Sequence, residues 1–292
     1  MILAFLRLIR FNNLLIMLFT QVLSYYFLSP HITAHQLIET RFVFLCLATL
    51  LVGAGGYIIN DYLDVKLDLI NKPNKVVVGQ IISRRWTMFL HFCMNAIAML
   101  LGLYIGTKVT VAIVIAAVML WIYSVSLKRK FLSGNVLVSC LSSFVIVINF
   151  IYDNSLQVQL IWAYSFFAFV LTLLREIIKD TEDIRGDGKF DCKTIPIVLG
   201  VRKTKTVLLY ITGIFALILF VYTTFFAASY SFEHSFARGS FIFYMMAFVI
   251  VPLFILLYFI KTADTTSDFH RLSTYTKLIM VTGMLSMIFW RI

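Results

Sequence analysis

Charge is scarce in this sequence: Asp, Glu, Lys and Arg supply only 13% of its 292 residues, about half the share of an ordinary globular protein. That scarcity excludes a water-soluble domain. Cysteine is scarce as well. Cys46, Cys93, Cys140 and Cys192 stand far apart, with no CxxC pair and no clustering with histidine, so no disulfide scaffold, metal-cluster or haem site is expected, and they read as small apolar fillers. Nor do polar and apolar residues alternate as the strands of a membrane barrel require. The first apolar run, starting near Leu14, is followed by no small-residue cleavage site, so a removable signal peptide is not expected.

Apolar runs are plentiful. Hydrophobic residues make up 61% of the chain and the mean hydropathy is +0.93. A hydrocarbon core needs about 20 apolar residues per crossing, and runs of that length predict nine helices at 12–29, 42–60, 88–106, 109–125, 134–152, 159–178, 206–228, 240–260 and 273–290. The expected fold is an all-α membrane protein, a single domain over 1–292. The glycines at 53, 55 and 56 fall inside the second helix without the Lys-Ser of a phosphate loop, so they read as a close helix contact.

A net charge of +11 raises the question of nucleic acid, but the basic residues fall in alternate loops. All except Arg41, Lys108, Arg238 and Arg291 lie on the side that holds the N-terminus. By the positive-inside rule that side is cytoplasmic, which predicts a multi-pass protein of the cell's inner (plasma) membrane, in contact with membrane lipids and not with nucleic acid.

Acid groups concentrate in two segments, both on the cytoplasmic side. The first runs from Asn60 through Asp61, Asp64 and Asp68; the second contains Asp180, Asp183 and Asp187. Each contains D-x2-D-x3-D, and the two are offset by 119 residues at all three positions. They leave the ends of the second and sixth predicted helices, which suggests a pseudo-repeat of two four-helix halves plus a ninth helix. Positions i, i+3 and i+7 share one face of a helix, so each segment projects its carboxylates together if the helix continues through it. Acids crowded at a membrane edge require neutralisation. Magnesium suits them, since it prefers carboxylate oxygens and shares substrate phosphates, whereas zinc calls for His or Cys, absent from both segments. Lys72 and Lys75 follow the first segment, and Arg175, Lys179, Arg185 and Lys193 bracket the second. Acid, metal and base side by side suggest a diphosphate site. Other basic residues, such as Arg84, Arg85 and Arg129, read as topological charge.

Three motifs make the sequence similar to the UbiA-type superfamily of intramembrane prenyltransferases. They are Asn60-Asp61-x2-Asp64-x3-Asp68-x2-Asn71-Lys72-Pro73 (motif 1, 60–73), Tyr123 with Leu127-Lys128-Arg129 and Gly134-Asn135, and Arg175-Glu176-x2-Lys179-Asp180-x2-Asp183-x3-Asp187 with Lys193-Thr194-x-Pro196 (motif 2, 175–196). The resemblance implies nine helices around a central cavity, two Mg2+ ions between the acid motifs, and prenyl transfer from an isoprenoid diphosphate to an acceptor. Carried over by position, it makes Asn60, Asp61, Asp64, Asp68, Asp180, Asp183 and Asp187 the metal and diphosphate ligands. Lys72, Lys128 and Lys193 become diphosphate contacts and Tyr123 a polar wall residue of the pocket. With the basic residues that flank the acid segments, the expected substrate contacts are Lys72, Lys75, Lys128, Arg175, Lys193 and Asn13, the last beside Arg10 and facing the cavity, and the expected catalytic groups are Asp64, Asp183, Lys128, Lys179 and Tyr123. The chain departs from the family where Lys75-Val76 replaces Arg-Pro, and where Tyr123 stands five residues before Lys128.

The chemistry so implied is ionisation of an allylic diphosphate with capture of the cation by the acceptor. Motif 2 is most similar to the branch that geranylgeranylates geranylgeranylglyceryl phosphate, so a glycerol-phosphate ether lipid precursor is the leading acceptor. An aromatic quinone precursor, of 4-hydroxybenzoate or dihydroxynaphthoate type, is the alternative. A membrane terpene cyclase and an ion-coupled transporter are the rivals from other classes; a transporter would hold its acids in mid-membrane.

Overall fold

The computed structural model describes residues 1–29, 31–71, 73–190, 192–226 and 235–291, and their side chains except those of 75, 226 and 235–237. Helices dominate them. In chain order they are α1 (Ile2–Leu8), α2 (Phe11–Phe27), α3 (Thr40–Asn71), α4 (Arg84–Ile105), α5 (Thr107–Val125), α6 (Ser133–Tyr152), α7 (Val158–Glu182), α8 (Ile184–Lys189), α9 (Ile195–Val221), α10 (Ser235–Met245), α11 (Val251–Thr262) and α12 (Thr266–Leu285). Among the described residues eight helices are long and apolar enough to cross a membrane, or nine if α1 and α2, bent by 58° at their junction, count as one span. The predicted all-α membrane architecture holds. The last three residues or so of the predicted helix 206–228 fall at the boundary, with 227 and 228 outside the described residues.

Several helices outrun their apolar cores. The predicted span 42–60 is the middle of a 32-residue helix, α3, which carries the whole first acid segment to Asn71; at 1.5 Å per residue it is about 48 Å long, against a hydrocarbon slab of about 30 Å. Similarly, α9 begins eleven residues before the predicted 206, with Pro196 in its first turn and a kink at Gly200, where φ is 78°. Charged residues such as Arg202, Lys203 and Lys205 hide such extensions from hydropathy, because helix formation there depends on hydrogen bonding and not on apolarity.

Two helices form the centre. Over half of the apolar window of α3 (56%) and of α7 (61%) is buried, against 17% for α4. Large side chains of α4 and α5, such as Phe92, Leu100, Tyr104 and Trp121, point outward, as a lipid-facing surface requires. The glycine cluster of α3 serves close packing as expected: a Cβ on Gly55 would strike Asn95 of α4, and one on Gly56 would strike Leu120 of α5. The first acid segment is thus carried at the end of one of the two most enclosed helices, and the second begins at the end of the other.

Candidate active site

On α3 the helix continues through the first segment, so Asp61, Asp64 and Asp68 face one side as their spacing predicts, and all three line a cavity of about 890 Å³. Two of them meet cations. Arg10 donates from Nη2 to Asp61 Oδ1 at 2.9 Å, from the bend between α1 and α2, where its φ of 49° is left-handed. That conformation is uncommon for a residue with a Cβ and marks a position held by its surroundings. Lys128, on the short 3-10 turn Leu127–Arg129, is paired with the buried Asp64 carboxylate. Burial works against the Lys128 ammonium, but Asp64 and Asp68 together outweigh it and hold its pKa above the usual lysine value.

The second segment departs from the expected single helix. α7 stops at Glu182, Asp183 caps it, and α8 restarts at Ile184, so the three carboxylates hang on two helices and a joint. They reach the same cavity nonetheless. Neutral donors hold two of them: Asn135 Nδ2 donates to Asp180 Oδ2 at 2.7 Å, and Thr194 Oγ1 to Asp187 Oδ2 at 3.3 Å. Burial, reinforced by Asp183, pushes the Asp187 carboxyl up to about 6. Glu176, buried one turn before Asp180, gathers Arg175 at 3.0 Å and Lys179 at 3.2 Å.

Backbone ties join the two segments to the turn that carries Lys128. Gly186 N donates to Asn71 Oδ1 at 2.9 Å, and Lys193 N donates to the Arg129 carbonyl at 2.8 Å. A Cβ on Gly186 would strike that Asn71 side chain, so glycine is what lets α8 approach the end of α3.

The cavity wall includes Asn13, Asn60, Tyr123, Arg175 and Lys179 besides the six aspartates and Lys128. Lys193 is exposed, and the lining near it among the described residues is Cys192 and Thr194. Lys72 lies outside the described residues; Lys75 ends the turn Pro73–Lys75, and its side chain lies outside them too. Arg129, read from the sequence as topological charge, lines the cavity, as do Arg7, Glu176 and Lys277. Lys277, within the predicted span 273–290, reads from the sequence only as charge of the cytoplasmic side. It sits inside α12 and donates from Nζ to Asn13 Oδ1 at 2.8 Å. The signal was present, since a lysine within an apolar stretch marks a functional position by default.

Among the described residues no three His, Cys, Asp or Glu groups converge into a closed cage for one ion. The donor set still fits magnesium. It is all oxygen, it lines one cavity from both acid segments, and Asn60 Oδ1 is buried there without a hydrogen-bond partner. Magnesium binds through one or two carboxylates and leaves its other positions to water and phosphate. Away from the acids the wall is apolar, with Val52, Leu120, Leu141, Phe144, Val145 and Met280 among its members. One cavity therefore offers a charged rim and a greasy interior, the two needs of an amphiphile with an anionic head.

Comparison with known proteins agrees with this arrangement. The model of the UbiA prenyltransferase family matches residues 17–281. The digeranylgeranylglyceryl phosphate synthase of Methanosphaera stadtmanae is 27% identical over 244 residues, covering 82% of this chain and 84% of its own. That of Methanoculleus marisnigri is 32% identical over 206 residues, covering 69% and 70%. Among solved structures, one of a digeranylgeranylglyceryl phosphate synthase superposes with a TM-score of 0.65 at 20% identity, over 98% of this chain and 97% of that one. A UbiA homologue from Archaeoglobus fulgidus bound to DMAPP and Mg2+ gives 0.63 at 17%, over 98% and 99%; at such identities these two speak for the fold. The match over nearly the whole length, on a bundle whose two acid segments share one cavity, shows that the chain belongs to the UbiA prenyltransferase family and is a membrane-embedded prenyltransferase.

Proposed function

We propose that this enzyme transfers a geranylgeranyl group from its diphosphate to a glycerol-phosphate ether lipid precursor, with Mg2+, at the cytoplasmic face of the plasma membrane. The observation that carries the reading is the convergence of both acid segments and Lys128 on one cavity with an apolar interior. The curated relatives named digeranylgeranylglyceryl phosphate synthase support the acceptor, as does the solved homologue bound to DMAPP and Mg2+ for the donor and the ion. The whole chain acts as one domain, motif 1 (60–73) facing motif 2 (175–196) across two four-helix halves and a last helix. The N-terminus faces the cytoplasm, which puts the basic loops and the charged rim on one side.

Asn60, Asp61, Asp64 and Asp68 on one wall and Asp180, Asp183 and Asp187 on the other would hold two Mg2+ ions. When bound, these supply Lewis-acid charge to the diphosphate oxygens. Lys128 and Lys179 bring ammonium groups to the rim, where charge gathers on the leaving diphosphate, and Arg175, Lys72, Lys75 and Lys193 add further cationic donors. The bond between C1 of the prenyl chain and the diphosphate oxygen breaks, and its electron pair leaves with the diphosphate. The acceptor's hydroxyl oxygen then forms the new C–O bond, and its proton passes to the departing diphosphate. Tyr123 and Asn13 border the space where that attack takes place.

The test is diphosphate release by the purified full chain with geranylgeranyl diphosphate, Mg2+ and a panel of acceptors. Turnover that requires the phosphoglyceryl ether and stops with EDTA is expected. Prenylation of an aromatic acid, with no turnover of the ether lipid, would replace this acceptor by the aromatic one.

A further inference from the structure

The interior of the cavity ends on polar groups in the middle of the bundle. Thr20, Thr49 and Ile148 line its far end. Directly behind them lie Gln21, Ser24 and Asn149, each fully buried at 0% exposure. Gln21 Nε2 donates to Thr49 Oγ1 at 3.2 Å, and Thr49 Oγ1 to the Leu45 carbonyl at 2.9 Å. Asn149 Nδ2 donates to the Gln21 carbonyl and to Ser24 Oγ, both at 2.8 Å. The network thus ties α2, α3 and α6 together. It is short of donors, because Gln21 Oε1 and Asn149 Oδ1 are buried with no partner. Beyond it the bundle is closed by aromatic rings: Tyr25 stacks on Phe42 at 4.1 Å and meets Tyr152 edge-on at 5.7 Å.

Helix geometry gives the depth. At 1.5 Å per residue, the rise is about 16 Å along α3 from Asn60 to Thr49 and about 20 Å along α6 from Asn135 to Ile148. An extended carbon chain advances about 1.2 Å per bond, as the three-bond repeat of an extended peptide does, so four isoprene units reach roughly 18 Å. Extended along this axis, a fifth unit reaches the amide network. Its methyl groups carry no donor, so displacing Gln21 or Asn149 would strip hydrogen bonds from amides that already lack them, and buried amides without partners are costly.

We propose that the Gln21–Thr49–Asn149 network, backed by the Tyr25–Phe42–Tyr152 cluster, is the chain-length stop of the donor pocket and sets it at four isoprene units. This rests on the prenyl-diphosphate donor and is independent of the acceptor. Residues that fill the floor move the stop toward the rim, and residues that empty it move the stop away.

The experiment compares farnesyl, geranylgeranyl and geranylfarnesyl diphosphates on the detergent-purified full chain. It reads kcat/KM with whichever acceptor supports turnover, and the donor-induced rise in melting temperature with no acceptor present. Wild type should favour the four-unit donor over the five-unit donor by at least about tenfold, the discrimination that a close-fitting pocket gives a misfitting group. Thr49→Phe should shift preference about tenfold toward the three-unit donor, and Thr20→Leu, which fills the floor without altering an amide, should act in the same direction. The double change Gln21→Ala with Asn149→Ala should raise the five-unit to four-unit ratio about tenfold. Equal use of the four- and five-unit donors by wild type overturns the proposal, as do unchanged ratios in variants that keep the wild-type melting profile. If the ratios move as stated while the phosphoglyceryl ether is not prenylated, the stop stands and the acceptor assignment falls.

Discussion

The two acid segments have the same D-x2-D-x3-D spacing, yet they are built differently. Motif 1 rides on the unbroken α3, whereas motif 2 is cut at Asp183 between α7 and α8. Their partners differ too. Asp61 and Asp64 meet the cations Arg10 and Lys128, while Asp180 and Asp187 rest on the neutral donors Asn135 and Thr194. Spacing therefore selects which residues face the cavity, and the surrounding helices decide how each is charged and held. A carboxylate paired with a cation already has its counter-charge beside it. One held by neutral groups and pushed up by burial, as Asp187 is, has more to gain from a bound cation.

Removing the equivalent acids is the strongest test of the parallel. Asp64→Ala and Asp183→Ala should each lower kcat by about 10²–10³-fold, the range found when one preorganised electrostatic contact is lost; activity surviving in either would break the equivalence of the two halves. Next comes the difference in partners. Asn135→Ala and Thr194→Val should weaken Mg2+ about 10–100-fold, as loss of a group orienting a ligand does, read as a shift in the Mg2+ concentration for half-maximal turnover. Lys128→Met should instead lower the melting temperature before any substrate is added, because it leaves Asp64, 4% exposed, without its cation, at a cost of roughly 3 kcal/mol. Were Asn135→Ala to lower the melting temperature more than Lys128→Met does, the contrast would be wrong. The smallest effect belongs to the joint: Asn71→Ala removes one hydrogen bond to α8, worth about 1 kcal/mol, and should cost only a few-fold in turnover.

The spans and the acids were legible in the sequence because both follow from composition and period. The match of α4 to 88–106 and of α6 to 134–152 came from apolar length alone, and the aspartates showed through their repeat. Three features were not legible. α1 is seven residues long and its bend rests on a single left-handed residue, Arg10, which no periodic pattern announces. The break at Asp183 has no periodic signal either, and the contact of α8 with the end of α3, Gly186 with Asn71, joins residues 115 apart in sequence. Lys277, inside the predicted span 273–290, reads as charge of the cytoplasmic side because positive charge near a helix end has a ready topological explanation; on the cavity wall it meets Asn13, 264 residues away in sequence.

α3 is longer by about 18 Å than the slab it crosses, and that overhang has a consequence for traffic. The proposed reaction makes one product that dissolves in water and another that dissolves in lipid. A reaction centre mounted where one helix leaves the hydrocarbon gives each product its own solvent within reach. Diphosphate can diffuse into the aqueous phase while the ether lipid partitions sideways into the leaflet. Each product so has its own route of departure, and neither has to cross the other's solvent.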